Sequence, residues 1–134
     1  MKQKTRKITA WVLITVLAFL FAMSAFMKLT LSGEAVAQAA SAGMDASTYR
    51  FIGIIELAAL VLFIIPRTGV VGTLLLIAYM GGAIVTHLQH NQPVVVAVVV
   101  QTLVWVTAFI RFPELNQRLF LLNRAYDHDT AKHR

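Results

Sequence analysis

The sequence predicts an all-α fold, an integral membrane four-helix bundle that forms one domain over residues 1–134. Of its 134 residues, 58% are hydrophobic and only 13% are charged, which is too little polar surface to cover a water-soluble globule. Four nearly uncharged runs are each about long enough to cross roughly 30 Å of hydrocarbon as helices. Within a bilayer, open strands would leave backbone groups unpaired, so helices are expected.

The first predicted span runs from Ile8 to Met27, directly after the basic segment MKQKTRK. A basic start before an apolar run is also typical of a secretory signal peptide, for which Ala22 to Ser24 could serve as a cleavage site. The apolar run of about 20 residues exceeds the roughly 7 to 15 of such peptides. We therefore favour a retained membrane helix.

Prolines separate the other three runs, since Pro66 and Pro93 lie where helices stop or start and Pro113 follows the last run. The predicted spans are Tyr49 to Ile65, Gly69 to Leu88 and Val94 to Ile110. The last contains VVVAVVV, which favours a strand in water, but the bilayer favours a helix here too.

Two segments lie outside the spans. Thr30 to Thr48 predicts a short external helix or lid, with Gly43 placed to end it and Asp45, Ser47 or Thr48 available to cap the next helix. The basic tail, residues 111–134, is expected to begin as an interfacial helix, because its leucines recur at helical intervals. These are Leu115, Leu119 and Leu122.

The basic residues predict the orientation. Ten of the twelve Lys and Arg residues lie in the N-terminus, the loop at Arg67 and the tail, whereas only Lys28 and Arg50 lie on the opposite side. By the positive-inside rule, both termini are cytoplasmic and the protein lies in the inner membrane. The net charge of +6 is then a topology signal, and nucleic-acid binding is not predicted.

Glu56 is the one charged residue within FIGIIELAALVLFIIP, in the second span. An unpaired carboxylate in hydrocarbon costs at least about 2.5 kcal/mol, so a partner or a proton is needed. At about 1.5 Å per residue, Glu56 lies about 10 Å from the outer end of its span. Lys28 could reach it, or could pair with Asp45 instead. The predicted ligand-binding or buried polar layer comprises Lys28, Glu56, Tyr79, His87 and Gln101.

Three glycines are predicted helix-packing residues, because small residues let membrane helices approach closely. They are Gly53, Gly81 and Gly82, and we expect the second and third spans to touch there.

The residue types exclude most catalytic chemistry. There is no cysteine, and no nucleotide-binding or hydrolase motif occurs. His87 and His90 are three positions apart, but no HExxH motif exists, so no metal site is predicted. We predict no catalytic residue and no intrinsic cofactor. His87 is expected to face the polar layer, and His90 to point to solvent.

Several short motifs occur in a characteristic order. They are FxKL at Phe26 to Leu29, GxxE at Gly53 to Glu56, PRT at Pro66 to Thr68, GTLLL at Gly72 to Leu76, YMGGA at Tyr79 to Ala83 and THL at Thr86 to Leu88. This order resembles that of the DoxX-like family of small four-helix bacterial membrane proteins.

The resemblance implies a redox-linked role, since the family is named for a terminal quinol oxidase subunit and some relatives are linked to thiosulfate-quinone chemistry. Any enzymatic part would be that of an accessory subunit of a membrane oxidoreductase. The leading hypothesis is an accessory or scaffold subunit. Apart from the surrounding lipid, its partner would be another membrane protein or a second copy of this chain. The alternatives are a quinone or small-lipid binding protein that uses the layer around Glu56, and a small proton-coupled carrier. Whether the polar layer is a cavity or a filled core stays open at this point.

Overall fold

The computed structural model describes residues 2–121 and Lys132, and every regular element within them is helical. The all-α prediction is therefore confirmed. The helices are α1 (Gln3–Thr30), α2 (Gly33–Ser41), α3 (Ala46–Ile64), α4 (Gly69–Gln89), α5 (Val95–Arg111) and α6 (Pro113–Asn116), followed by a π-helical segment, Gln117–Leu121.

Three helices, α1, α3 and α4, are long and apolar enough to cross a membrane. The fourth, α5, has 17 residues and is followed at a bend of 103° by Pro113–Leu119. Seventeen residues is about the shortest span that crosses the hydrocarbon, so the bundle has three or four membrane-spanning helices, in agreement with the predicted membrane fold. The predicted tail helix is present as far as Leu121, and Leu122 lies outside the described residues.

The four long helices form a closed ring in which α1 contacts α3 and α5, and α4 contacts the same two helices. One end of the ring carries α2 and the turn between α4 and α5; we call it the α2 end. The other carries the start of α1, the α3–α4 turn and the end of α5; we call it the tail end. The main core packs in the middle and toward the tail end, where Leu17, Phe63, Leu76 and Val104 are fully buried.

The tightest contact between α3 and α4 is at Gly72. A Cβ atom at this position would lie 2.1 Å from the backbone nitrogen of Phe63, so only glycine permits the observed distance between the helices. Gly72 was not among the glycines predicted from the sequence to pack between helices.

Gly81 and Gly82 do not pack against another helix among the described residues. A Cβ on either residue would meet no described heavy atom within 4 Å. Gly53 does permit a close approach, but to α1 rather than α4, since its Cβ would lie 2.8 Å from the Cβ of Lys28. Sequence spacing identifies a small residue but not the helix that it faces.

Two arginines satisfy backbone carbonyls at the tail end. Arg111 donates to the carbonyl oxygens of Phe63 and Ile64 at the end of α3, and its guanidinium lies 4.8 Å from the ring centroid of Phe112. Arg6 Nε donates to the carbonyl of Ile110 at 2.8 Å. Because helix C-termini carry partial negative charge, these cations stabilise both helix ends, a role that the charge count along the sequence does not indicate.

The short external helix predicted between the first two spans is α2. Ser32 caps it by accepting a hydrogen bond from the Ala35 amide at 3.1 Å. Gly43 follows it with φ +69°, a left-handed conformation suited to glycine, and Asp45 occupies the N-cap position of α3.

Side-chain contacts hold α2 across the end of the bundle. Its buried Ala35 and Ala39 pack on Tyr49. The Tyr49 hydroxyl donates to Gln38 Oε1 at 2.9 Å, and Gln92 Nε2 donates to Ser41 Oγ at 2.7 Å. These contacts join α2 to α3 and to the α4–α5 turn, so α2 forms a lid.

Candidate functional site

A cavity of about 870 Å³ lies between the long helices at the α2 end. Pockets for small molecules usually measure about 300–1,000 Å³, so this one is large enough for a whole ligand. Its wall includes residues of α1 to α5, among them Ser24, Lys28, Glu56, Tyr79 and His87. The predicted polar layer is therefore largely the wall of a cavity and not a filled core.

An ion pair forms the polar centre of this wall. Lys28 Nζ lies 2.8 Å from Glu56 Oε2 and also donates to Ser24 Oγ. Glu56 is 1% exposed and Lys28 is 8% exposed. Of the two predicted partners of Lys28, the structure selects Glu56; Asp45 instead accepts hydrogen bonds from the hydroxyls of Ser47 and Thr48.

The helix face that carries Glu56 also explains why Lys28 reaches it. Tyr49, Gly53 and Glu56 are spaced by four and three residues, so they share one face of α3. The stem of Lys28 crosses this face at Gly53, where a side chain would block it. Its ammonium then lies 5.5 Å from the Tyr49 ring centroid and 6.0 Å from that of Tyr79, at cation–π distance.

Tyr79 and His87 extend the polar wall along α4. The Tyr79 ring meets Phe21 edge-on at 6.5 Å between centroids, and its side chain interacts electrostatically with Glu56. His87 Nδ1 lies 2.6 Å from the carbonyl oxygen of Ala83. Because a carbonyl only accepts, Nδ1 carries the proton of this hydrogen bond, and in the neutral tautomer with that proton Nε2 would present a lone pair.

The comparison with known families agrees with the order of these motifs. A family model described as the DoxX-like family matches residues 12–109, which contain Lys28, Glu56, Tyr79 and His87. The chain belongs to the DoxX-like family. Comparisons with curated proteins and with solved structures yield no match.

In this DoxX-like protein, Gln101 does not join the other predicted residues. It is half-buried on α5, does not line the cavity, and makes no hydrogen bond within residues 2–121. Equal depth along two helices does not ensure that side chains face each other, because the rotation of each helix about its axis is set by packing.

Tyr49 and Gln38 of the cavity wall were not among the site residues predicted from the sequence. Tyr49 lies two turns before Glu56 on the same face, and this spacing could have identified it. Gln38 has no such signal, because it reaches the cavity only through the fold of α2 over the bundle end.

His87 lines the cavity, and His90 is exposed. The Nε2 atom of His90 lies beside Gly43 in the turn after α2. Among the described residues of this DoxX-like protein, no group of three or more His, Asp or Glu side chains is placed to hold a metal ion.

Proposed function

We propose that this membrane protein binds a small neutral molecule of the bilayer that carries a carbonyl group, of the quinone class, in the cavity at the α2 end. The observation that carries the proposal is a ligand-sized cavity, in an otherwise apolar bundle, with a buried Lys28–Glu56 pair in its wall. Intramembrane ionisable groups typically mark functional sites.

The charge of the site favours a neutral ligand. Lys28 and Glu56 are opposite charges in contact, so a charged headgroup would bring an uncompensated charge into a buried position. A lysine ammonium has three N–H donors. Two of them bond Ser24 and Glu56, and the third has no hydrogen-bond acceptor among the described residues. That donor suits a ligand carbonyl.

The shape and polarity of the remaining wall favour a flat ring. Phe21, Tyr49 and Tyr79 contribute aromatic faces and edges, and Ile52, Val96 and Val100 contribute aliphatic surface. The His87 Nε2 lone pair could accept a hydrogen bond from the hydroxyl of a reduced ring.

Two neighbouring glycines provide a matched test. Neither Gly81 nor Gly82 meets a described atom at its Cβ position, but only Gly82 lines the cavity. We expect Gly82→Leu to fill part of the cavity and to weaken binding of decylubiquinone at least about tenfold, or roughly 1.4 kcal/mol. Gly81→Leu should leave binding unchanged. Absence of binding to the wild type, or equal binding by both variants, would overturn the proposal.

The native ligand can be identified by mass spectrometry of protein extracted gently from its own membranes. A quinone that accompanies the wild type and is lost in Glu56→Gln supports the proposal, whereas a neutral lipid in its place would assign the site to a small lipid.

The accessory role, transport and orientation stay predictions. An accessory or scaffold subunit requires a membrane protein partner or second copy that co-purifies at fixed ratio, and its absence after mild extraction would contradict that role.

A carrier requires a pH-gradient-dependent flux in vesicles, and a flat trace would contradict it. The positive-inside rule predicts cytoplasmic termini and an outward α2 end in the inner membrane. Reporter fusions to each terminus test this orientation. Reporter activity on the outer side of the membrane would contradict it.

A further inference from the structure

A second, smaller cleft of about 250 Å³ lies along α1 beneath α2. Its wall includes Phe19, Met23 and Met27. Phe19 is 65% exposed and Met23 is 49% exposed on a helix that spans the membrane, so this part of the cleft faces the hydrocarbon.

One row of side chains separates the cleft from the cavity. Leu20, Ser24 and Lys28 line both spaces, and they recur every four residues as a stripe along α1. Gln38 of α2 also lines both spaces. The two spaces therefore meet at the residues that hold the proposed polar head.

The cleft is too small to be a separate site. Its 250 Å³ falls below the roughly 300 Å³ at which small-molecule pockets begin. Its wall is apolar apart from the shared residues, and the unbranched side chains of Met23 and Met27 can adapt to a flexible chain.

Building on the proposed function, we propose that this cleft binds the hydrocarbon tail of the ligand, which enters sideways from the bilayer past the Leu20–Ser24–Lys28 stripe. The ring then lies in the cavity beside the ion pair, and the tail lies along α1 toward the lipid. The ligand is thus a tailed quinone and not a water-soluble ring.

The test compares two probes, decylubiquinone and the same dimethoxy-methyl-benzoquinone ring without its tail. Met23→Trp narrows the cleft, whereas Phe26→Trp changes an exposed residue of α1 that lines neither space. We expect Met23→Trp to weaken binding of decylubiquinone about tenfold and to leave the tail-free ring unaffected. Phe26→Trp should change neither affinity.

The outcomes separate this inference from the proposed function. Suppose that Gly82→Leu weakens binding of both probes, but that Met23→Trp and Phe26→Trp bind decylubiquinone equally well. The proposed binding in the cavity is then supported, and the proposed binding of the tail in the cleft is overturned. If Met23→Trp weakens binding of both probes equally, the proposed binding of the tail in the cleft is also overturned. If the wild type binds neither probe, the proposed function and this inference fall together. Should Met23→Trp lower the melting temperature without ligand, Met23→Phe makes a smaller change at the same position.

Discussion

Lys28 Nζ lies 2.8 Å from Glu56 Oε2 and joins α1 to α3 at the wall of the cavity. Both side chains are largely buried, so each is the main polar partner of the other. The stability of the bundle and the polarity of the cavity therefore depend on the same contact.

Lys28→Met should strongly destabilise the protein, because it leaves the Glu56 carboxylate buried without its cation. Removing one partner of a buried pair costs about 3–5 kcal/mol. The double variant Lys28→Met with Glu56→Leu should recover most of this loss, since no unpaired charge remains. Thermal unfolding in detergent measures both effects. A single variant as stable as the wild type would show that the carboxylate does not need the lysine.

Gly72→Ala should force α3 and α4 apart, because the new methyl group would overlap the backbone of Phe63. We expect a loss of about 3 kcal/mol, the upper range for overpacking. Gly81→Ala, in the same helix but with open space at its Cβ, should be neutral or up to about 1 kcal/mol stabilising. Equal melting temperatures for the two variants would contradict the assignment of Gly72 as the packing glycine.

Arg111→Lys should destabilise the tail end although it keeps the charge. A lysine cannot reproduce the fork that donates to two carbonyls at the end of α3. Hydrogen bonds from charged groups contribute about 1.5–3 kcal/mol, and the expected loss lies in that range. The control is Arg118→Lys, an exposed residue for which the structure shows no hydrogen bond. If the control lost as much stability, the carbonyl contacts would not be the cause.

Asp45 makes stability depend on pH outside the membrane. Hydrogen bonds from the Ser47 and Thr48 hydroxyls to its carboxylate lower the pKa of Asp45 below the ordinary value of 3.8. Since the folded pKa is lower than the unfolded one, the charged form stabilises the fold above the ordinary pKa, and this contribution is lost as the pH falls through the lowered pKa.

Asp45→Asn removes this titration but keeps a residue that can cap α3. The difference in melting temperature between wild type and variant should be constant from neutral pH down to about pH 5, and should shrink below about pH 3.9. A difference that grows on acidification would contradict the lowered pKa.

Much of the site could be predicted because burying a charge in hydrocarbon is costly. This cost alone identified Glu56, and helical reach added Lys28 as a candidate partner. The sequence placed His87 near the level of the polar layer, and packing of α4 turns it toward the cavity. Gln101 does not line the cavity, because depth along a helix does not determine which way the side chain faces. For the same reason, the sequence pointed to Gly81 and Gly82, whereas the close approach of α3 and α4 is at Gly72.

The sequence by itself determined that this protein is an all-α membrane bundle, because apolar runs of this length satisfy their backbone hydrogen bonds in a bilayer as helices. The order of its motifs indicated the DoxX-like family. Only the tertiary structure decided that the polar layer surrounds a cavity, that Lys28 pairs with Glu56 and not Asp45, and that α2 covers the end of the bundle. These features depend on the rotation and distance of each helix relative to its neighbours, which side-chain packing sets and hydrophobic spacing along one helix does not encode.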